Sequence, residues 1–278
     1  MSRRHVLAAT LAVLATASSP TARGDERVSQ AREVTGTFSR IRVGGPFDVT
    51  VREGSPAAVV VQALPADQEK VNVEVKGDTL VVGSTGRWTW GGEPERGAKP
   101  VVTVTLPELR GLDVSGSGDA RAETGPAARD LGLSVGGSGS IAWKGVAATL
   151  ALAVSGSGDV KAEGPSRKLD VKVSGSGDVA YSGTSGAVTV AVSGSGDVKL
   201  AGEAESLDVS TAGSGDVEAG GFAVRDAKVA IAGSGDAALR LAGGGLTTRI
   251  AGSGDVVWTG EARSVDAKTS GSGSVTRR

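Results

Sequence analysis

The sequence predicts an all-β fold, a parallel β-solenoid of ~19-residue coils with a β-rich cap at its N-terminal end. Three observations carry this. Gly-Ser-Gly recurs nine times between Gly116 and Gly273, followed by Asp119, Asp159, Asp178, Asp197, Asp216, Asp236 and Asp255 and, in two copies, by Ser140 and Ser274. The steps between these positions are 21, 19, 19, 19, 19, 20, 19 and 19 residues, a fixed period of the kind that marks a repeat architecture. The flanking residues alternate apolar and polar, the pattern of half-buried strands.

The elements follow in chain order. Met1-Ser2-Arg3-Arg4-His5 and the apolar run from Val6 to Ala17 read as an export signal over residues 1–17, with Ala15-Thr16-Ala17 as the cleavage site. The run is too short to span a membrane, and Ser2-Arg3-Arg4-His5-Val6-Leu7 is also compatible with a twin-arginine signal. Residues 18–32 are polar and read as a flexible leader. Residues 33–112 form the cap, continuous with the solenoid. Its strands are expected at Phe47–Val51, Ala58–Leu64 and Val101–Leu106, with a hairpin of Val71–Val75 and Thr79–Val82 about Lys76-Gly77-Asp78. Residues 113–278 are the repeat.

Within each repeat, five positions before the Asp or Ser stands Val114, Val135, Val154, Val173, Val192, Thr211, Ile231, Ile250 or Thr269, all β-branched and suited to a pleated surface. A second alternating run follows the turn, with Trp143, Tyr181 and Trp258 at inward positions. A Gly such as Gly145, Gly164 or Gly183 usually ends it. Stacked coils place like positions about 4.8 Å apart and require every turn to be alike. An antiparallel meander, the alternative, has no such requirement. Small residues before each turn suit close approach of neighbouring backbones. An open solenoid end exposes strand edges, hence the cap; Thr276-Arg277-Arg278 leaves a charged edge at the other end.

Composition excludes several classes. The chain has no Cys and a single His, His5, inside the export signal. Ser-His-Asp and Cys-His catalysis and ordinary zinc sites are therefore not expected. No phosphate-binding or dinucleotide fingerprint occurs, and no cofactor is expected. Removing Arg3 and Arg4 with the signal leaves 28 basic against 31 acidic residues, which is no footprint for nucleic acid. No further apolar run is long enough for a membrane helix.

Two groups remain as candidate sites. The column Asp159, Asp178, Asp197, Asp216, Asp236 and Asp255 is a candidate for weak calcium binding, but its register differs from the calcium-binding Gly-Gly-x-Gly-x-Asp repeat. The simpler reading is that these side chains bond N–H groups of their own turns. Trp88 and Trp90 alternate in Arg87-Trp88-Thr89-Trp90, so in an extended strand they share a face, as a platform for sugar or a partner or as packing over the cap.

Phe47-Asp48-Val49-Thr50-Val51, Val101 to Leu109 with its Pro107, and Leu112-Asp113-Val114-Ser115-Gly116-Ser117-Gly118-Asp119 together resemble the head GIN domain family, also described as putative auto-transporter adhesins. The resemblance covers nearly all of the chain after the signal. It implies an exported bacterial β-solenoid with an adhesin label and no defined biochemical activity. It does not extend to a C-terminal membrane barrel, because the sequence stops directly after the last repeat.

The expected function is thus a non-enzymatic scaffold or adhesin-like binding module, periplasmic, secreted or on the cell surface, whose partner is an envelope protein or a glycan. The alternatives are a carbohydrate-binding or carbohydrate-acting protein using carboxylates and the Trp pair, and a structural component that self-associates through the solenoid ends.

Overall fold

The computed structural model describes residues 27–85, 99–127 and 129–278. The export signal and the Trp88–Trp90 pair lie outside the described residues. The architecture is nearly all-β, with stacked parallel coils forming a solenoid of about nine turns.

The N-terminal strands are β1 (Val28–Arg32), β2 (Arg40–Gly44), β3 (Asp48–Glu53), β4 (Ala58–Ala63), β5 (Val71–Lys76), β6 (Thr79–Ser84) and β7 (Val101–Leu106). A 3-10 helix, Pro65–Lys70, joins β4 to β5. The repeat begins with β8 (Gly111–Val114) and β9 (Ala120–Glu123). β2 lies between β6 and β8 and is parallel to both, with Arg40 opposite Thr79 on one side and Gly111 on the other. β3 likewise lies between β7 and β9. The first coil is therefore β2–β3, and the chain later threads β6–β7 outside it and β8–β9 inside it. The column starts near residue 40 rather than at the first Gly-Ser-Gly, with Gly45-Pro46-Phe47-Asp48 as its turn.

Antiparallel strands seal this end: β5 on β6, β4 on β7, and β1 on β4. Gly77 at φ 63° makes the β5–β6 turn, as its hairpin signature predicted. The flexible leader expected through residue 32 is corrected at its end, since Val28–Arg32 pairs with Ala63–Val59. Its polar side chains hid it, because the anchors are backbone bonds and one buried amide. Gln68 is 3% exposed; its Nε2 donates to Val28 O at 2.6 Å and to Val61 O at 3.2 Å, and Arg32 donates back to Gln68 O at 2.6 Å.

The stack continues through β10 (Arg129–Val135), β11 (Ile141–Lys144), β12 (Ala147–Val154), β13 (Val160–Glu163) and β14 (Ser166–Val173). In β15 (Val179–Val192), β16 (Val198–Thr211) and β17 (Val217–Ile231) each strand runs unbroken through the corner opposite the turn. β18 (Ala237–Ala242), β19 (Gly245–Gly252), β20 (Val256–Glu261), β21 (Ser264–Gly271) and β22 (Val275–Arg277) complete the chain. From β8 to β22 the pairing is parallel, as in Val179↔Val198 and Val192↔Thr211, which rules out the meander. The 20-residue step is absorbed at a bulge: Lys199 faces Glu218 but Ala201 faces Gly221, so the extra residue sits well away from the turn.

The inward columns are the predicted ones. Val114, Val154, Val173, Val192 and Ile231 are buried, as are Trp143 and Trp258. A buried Val or Leu side chain contributes about 1.5–3 kcal/mol. Tyr181 meets Phe222 edge-on at 6.3 Å, and its hydroxyl donates to Gly164 O at 2.8 Å, which makes it tolerable inside. Burial raises the Tyr181 phenol pKa, and the Ser166 hydroxyl partly offsets this.

Candidate functional site

The most regular chemical feature is the carboxylate column on the turn edge of the rod. Its geometry follows from the glycines beneath it. A Cβ on Gly156 would overlap the carbonyl oxygen of Gly137, and a Cβ on Gly158 that of Gly139; the same holds coil after coil. Both glycines are therefore required by close approach of stacked backbones, while the Ser between them is exposed.

Donor accounting explains the Asp. In one turn, Ser176 N–H and Gly177 N–H both donate to Gly156 O, at 3.0 and 3.2 Å, and Val179 N–H donates to Asp197 O at 2.9 Å. Asp178 N–H is left over by the backbone ladder. It is taken by Oδ1 of Asp159 in the coil before, at 2.9 Å. The pattern repeats as Asp197 N–H to Asp178, Asp216 to Asp197, and Asp236 to Asp216, each at 2.8 Å, and Asp255 to Asp236 at 2.7 Å. Each carboxylate thus clamps the next coil through a charge-assisted bond. The expectation that these side chains hold their own turns is corrected, because the leftover donor within reach belongs to the neighbouring coil. Ser140 and Ser274 each give N–H and hydroxyl to the preceding Asp, Ser140 to Asp119 at 3.0 and 2.8 Å and Ser274 to Asp255 at 2.7 and 2.8 Å.

The column extends one step beyond its motif. Asp119 N–H donates to Asp48 Oδ1 at 3.3 Å. Lys99 Nζ sits 3.7 Å from Asp48 and 3.8 Å from Asp119, and donates to Ser117 O at 3.2 Å. A lysine thereby neutralises the base of the column. Asp48 was detectable in the sequence: Val43, Asp48, Val49 and Val51 keep the spacing of Val114, Asp119, Ala120 and Ala122. Lys99 had no such signal.

As for calcium, the stacking brings Asp159, Asp178, Asp197, Asp216, Asp236 and Asp255 into one line but sets one carboxylate per coil. Among the described residues no group of three or more His, Cys, Asp or Glu side chains is placed to hold a metal ion.

The opposite corner carries a similar clamp. Asp226 Oδ1 accepts Gly245 N–H at 2.9 Å and its Oδ2 accepts Arg225 Nε at 2.9 Å. These bonds, Gly245 first, hold the Asp226 pKa below its ordinary value. On the wall after the turn, Lys199 pairs with Glu218 at 2.8 Å across coils, which raises the lysine pKa. Lys161, Lys172 and Lys199 all face outward.

On the wall before the turn runs a shallow groove of about 400 Å³ over the last coils. Exposed Ala212, Ala230, Ala232 and Ala251 line it, with Arg249 and Lys268 at the rim. In earlier coils the column of Ala212, Ala232 and Ala251 is Ser155, Ser174 and Ser193, and in the last coil it is Ser270, so its apolar stretch spans three coils, with Ser210 and Ser270 also lining the groove. A change of Ser to Ala along one column was the readable signal for it.

The sequence model of the family described as putative auto-transporter adhesin, head GIN domain, matches residues 37–185 and 166–262. No curated protein matches the sequence. Among solved structures, a putative adhesin from Parabacteroides merdae superposes with a TM-score of 0.65 at 21% identity, covering 91% of this chain and 96% of that one. A putative adhesin from Parabacteroides distasonis gives 0.64 at 23%, covering 92% and 98%. A protein of the same organism described as a putative lipid binding protein gives 0.64 at 18%, covering 91% and 97%.

Proposed function

The chain belongs to the head GIN domain family, and from that premise we propose that it is an exported, non-enzymatic binding module of the cell envelope, adhesin-like in meeting its partner along the wall of the rod. The observation that carries this reading is the groove of Ala212, Ala230, Ala232 and Ala251 rimmed by Arg249 and Lys268. Its small side chains let an extended chain lie flat against the sheet, and its two cations favour acidic groups on that chain. The partner is an envelope protein or glycan carrying such groups. The descriptions of structural relatives as adhesins and as a lipid-binding protein support a binding role. The rigid stack below the groove supports it too, because a preorganised surface loses little freedom on binding.

The test is co-sedimentation of the purified protein with isolated envelope fractions. Ala232→Glu combined with Arg249→Glu fills the groove and reverses its charge, and is expected to weaken binding by about tenfold or more. A Trp88→Ala/Trp90→Ala variant run beside it asks whether the cap carries the contact instead. Undiminished binding by the groove variant overturns the groove reading, and absence of saturable binding by the unaltered protein overturns the binding-module reading.

A further inference from the structure

We propose that the C-terminal edge of the rod is a two-fold interface, in which β21 pairs antiparallel with β21 of a second copy about an axis through Ala267. This does not rest on the groove reading. Among the described residues the last coil has a neighbour on one side only: β21 pairs with β19, and β22 with β20. All eight residues of β21 are exposed. Val265 is 45% exposed, whereas Leu246, its partner one coil earlier, is 1% exposed.

The two strands of this edge are not alike. β22 has three residues and is guarded. Its Arg277 lies over the Trp258 ring at 5.0 Å and donates to Gly260 O at 2.8 Å. A charged side chain turned onto the core side of an edge strand blocks further pairing. β21 has no charge on its core side. It is longer, contains no Pro, and continues the inward columns with Val265, Ala267 and Thr269. Only Asp266 and Lys268 on its outer face carry charge.

Those two charges select the partner and the register. Residues directly opposite in an antiparallel pair share a face, so a two-fold axis must pass through a residue. An axis at Asp266 sets Asp against Asp, and an axis at Lys268 sets Lys against Lys; like charges directly opposite are destabilising. An axis at Val265 or Thr269 leaves both charges opposite neutral residues. The axis at Ala267 sets Asp266 against Lys268 twice, sets Val265 against Thr269 twice, and covers the open core. The strand is thus complementary to its own copy. A two-fold contact uses the same edge of both copies and closes on itself, so this contact makes a dimer and does not by itself propagate into a filament.

Sedimentation velocity of the purified protein over a range of concentrations should show a monomer–dimer equilibrium. Lys268→Asp creates two Asp–Asp oppositions and should raise the dissociation constant by about tenfold. The exchange Asp266→Lys/Lys268→Asp should restore it. Because the chain has no cysteine, Ala267→Cys should cross-link to itself under mild oxidation, while Val265→Cys, facing Thr269 of the second copy, should not. A monomer at every concentration overturns the proposal. So does a dimer indifferent to Lys268→Asp, a failure of the exchange to restore pairing, or cross-linking through residue 265 in place of 267.

Discussion

The two ends of the rod are made of the same coil and treated in opposite ways. At the N-terminal end the chain doubles back, places β2–β3 between β6–β7 and β8–β9, and lays β5, β4 and β1 antiparallel across the outside. Val43, Leu80, Val102 and Val104 there are fully buried. At the C-terminal end β21 pairs along its length with β19 before it and, among the described residues, with no strand after it. Burial in this fold is therefore conferred on a coil by its two neighbours, and a coil with one neighbour is half finished, as expected of a one-dimensional stack.

The largest test of that difference is in the glycines. Gly177→Ala, mid-stack, drives a methyl into the Gly158 carbonyl with coils fixed on both sides, and should cost about 3 kcal/mol or more in the midpoint of chemical unfolding. Gly273→Ala meets the Gly254 carbonyl in the same way, but the last coil is free to shift, so its loss should be clearly smaller. Equal losses would mean that the end coil is as constrained as the middle. Ser176→Ala, exposed in the same turn, should be close to neutral.

Next is the seal. Gln68→Ala leaves Val28 O and Val61 O without their amide donor, which should cost about 2 kcal/mol. Amide exchange of residues 28–32 should accelerate while the central coils stay protected. Uniform acceleration along the rod would instead make the seal part of one cooperative unit.

A smaller effect is expected from the column. Asp197→Ala strips the acceptor from Asp216 N–H and should cost about 1 kcal/mol, read by thermal unfolding, with Asp197→Asn milder because an acceptor remains. Asp255→Ala should chiefly loosen β22, visible as faster exchange there.

The smallest effect is pH dependence. The Ser39 hydroxyl, then Ser39 N–H, lower the Asp78 pKa at the sealed end, as Gly245 N–H and Arg225 lower that of Asp226 near the open one. A carboxyl with a lowered folded pKa contributes stability above its unfolded pKa, and this is lost as pH falls through the ordinary carboxylate range toward the folded value. Both groups are exposed, so the slope is shallow. Asp78→Asn should flatten it in unfolding curves taken from neutral pH downward; an unchanged slope would show that Asp78 does not contribute.

The middle of the rod was legible because every coil meets a copy of itself. The β-branched residues before the turn, the inward Trp143 and Trp258, and the paired glycines all had to recur at the stacking period. The ends were less legible for the same reason, since their partners are unlike them. Phe47 stands where later turns have the second glycine, and Val28–Arg32 is held by Gln68 rather than by an apolar face. The Asp column was visible, yet the direction of its bonds was not, because sequence spacing does not say which donors the backbone leaves unused. Lys99 at its base depends on a contact with Asp48, distant in sequence.

The clamp from each Asp to the next coil has a consequence for how such a rod changes length. The coils of Asp178, Asp197, Asp216 and Asp236 each offer the same acceptor to the next coil and the same N–H to the one before. Excising residues 179–197 would bring Asp178 Oδ1 to the N–H of Asp216 with the glycines, the inward column and the turn again in phase. The molecule can therefore grow or shorten by whole coils of about 4.8 Å without redesign of either end, while the extra residue of the 20-residue step is taken up at the corner where Gly220 lies. Reach is inherited in quanta, and the turn edge keeps the count.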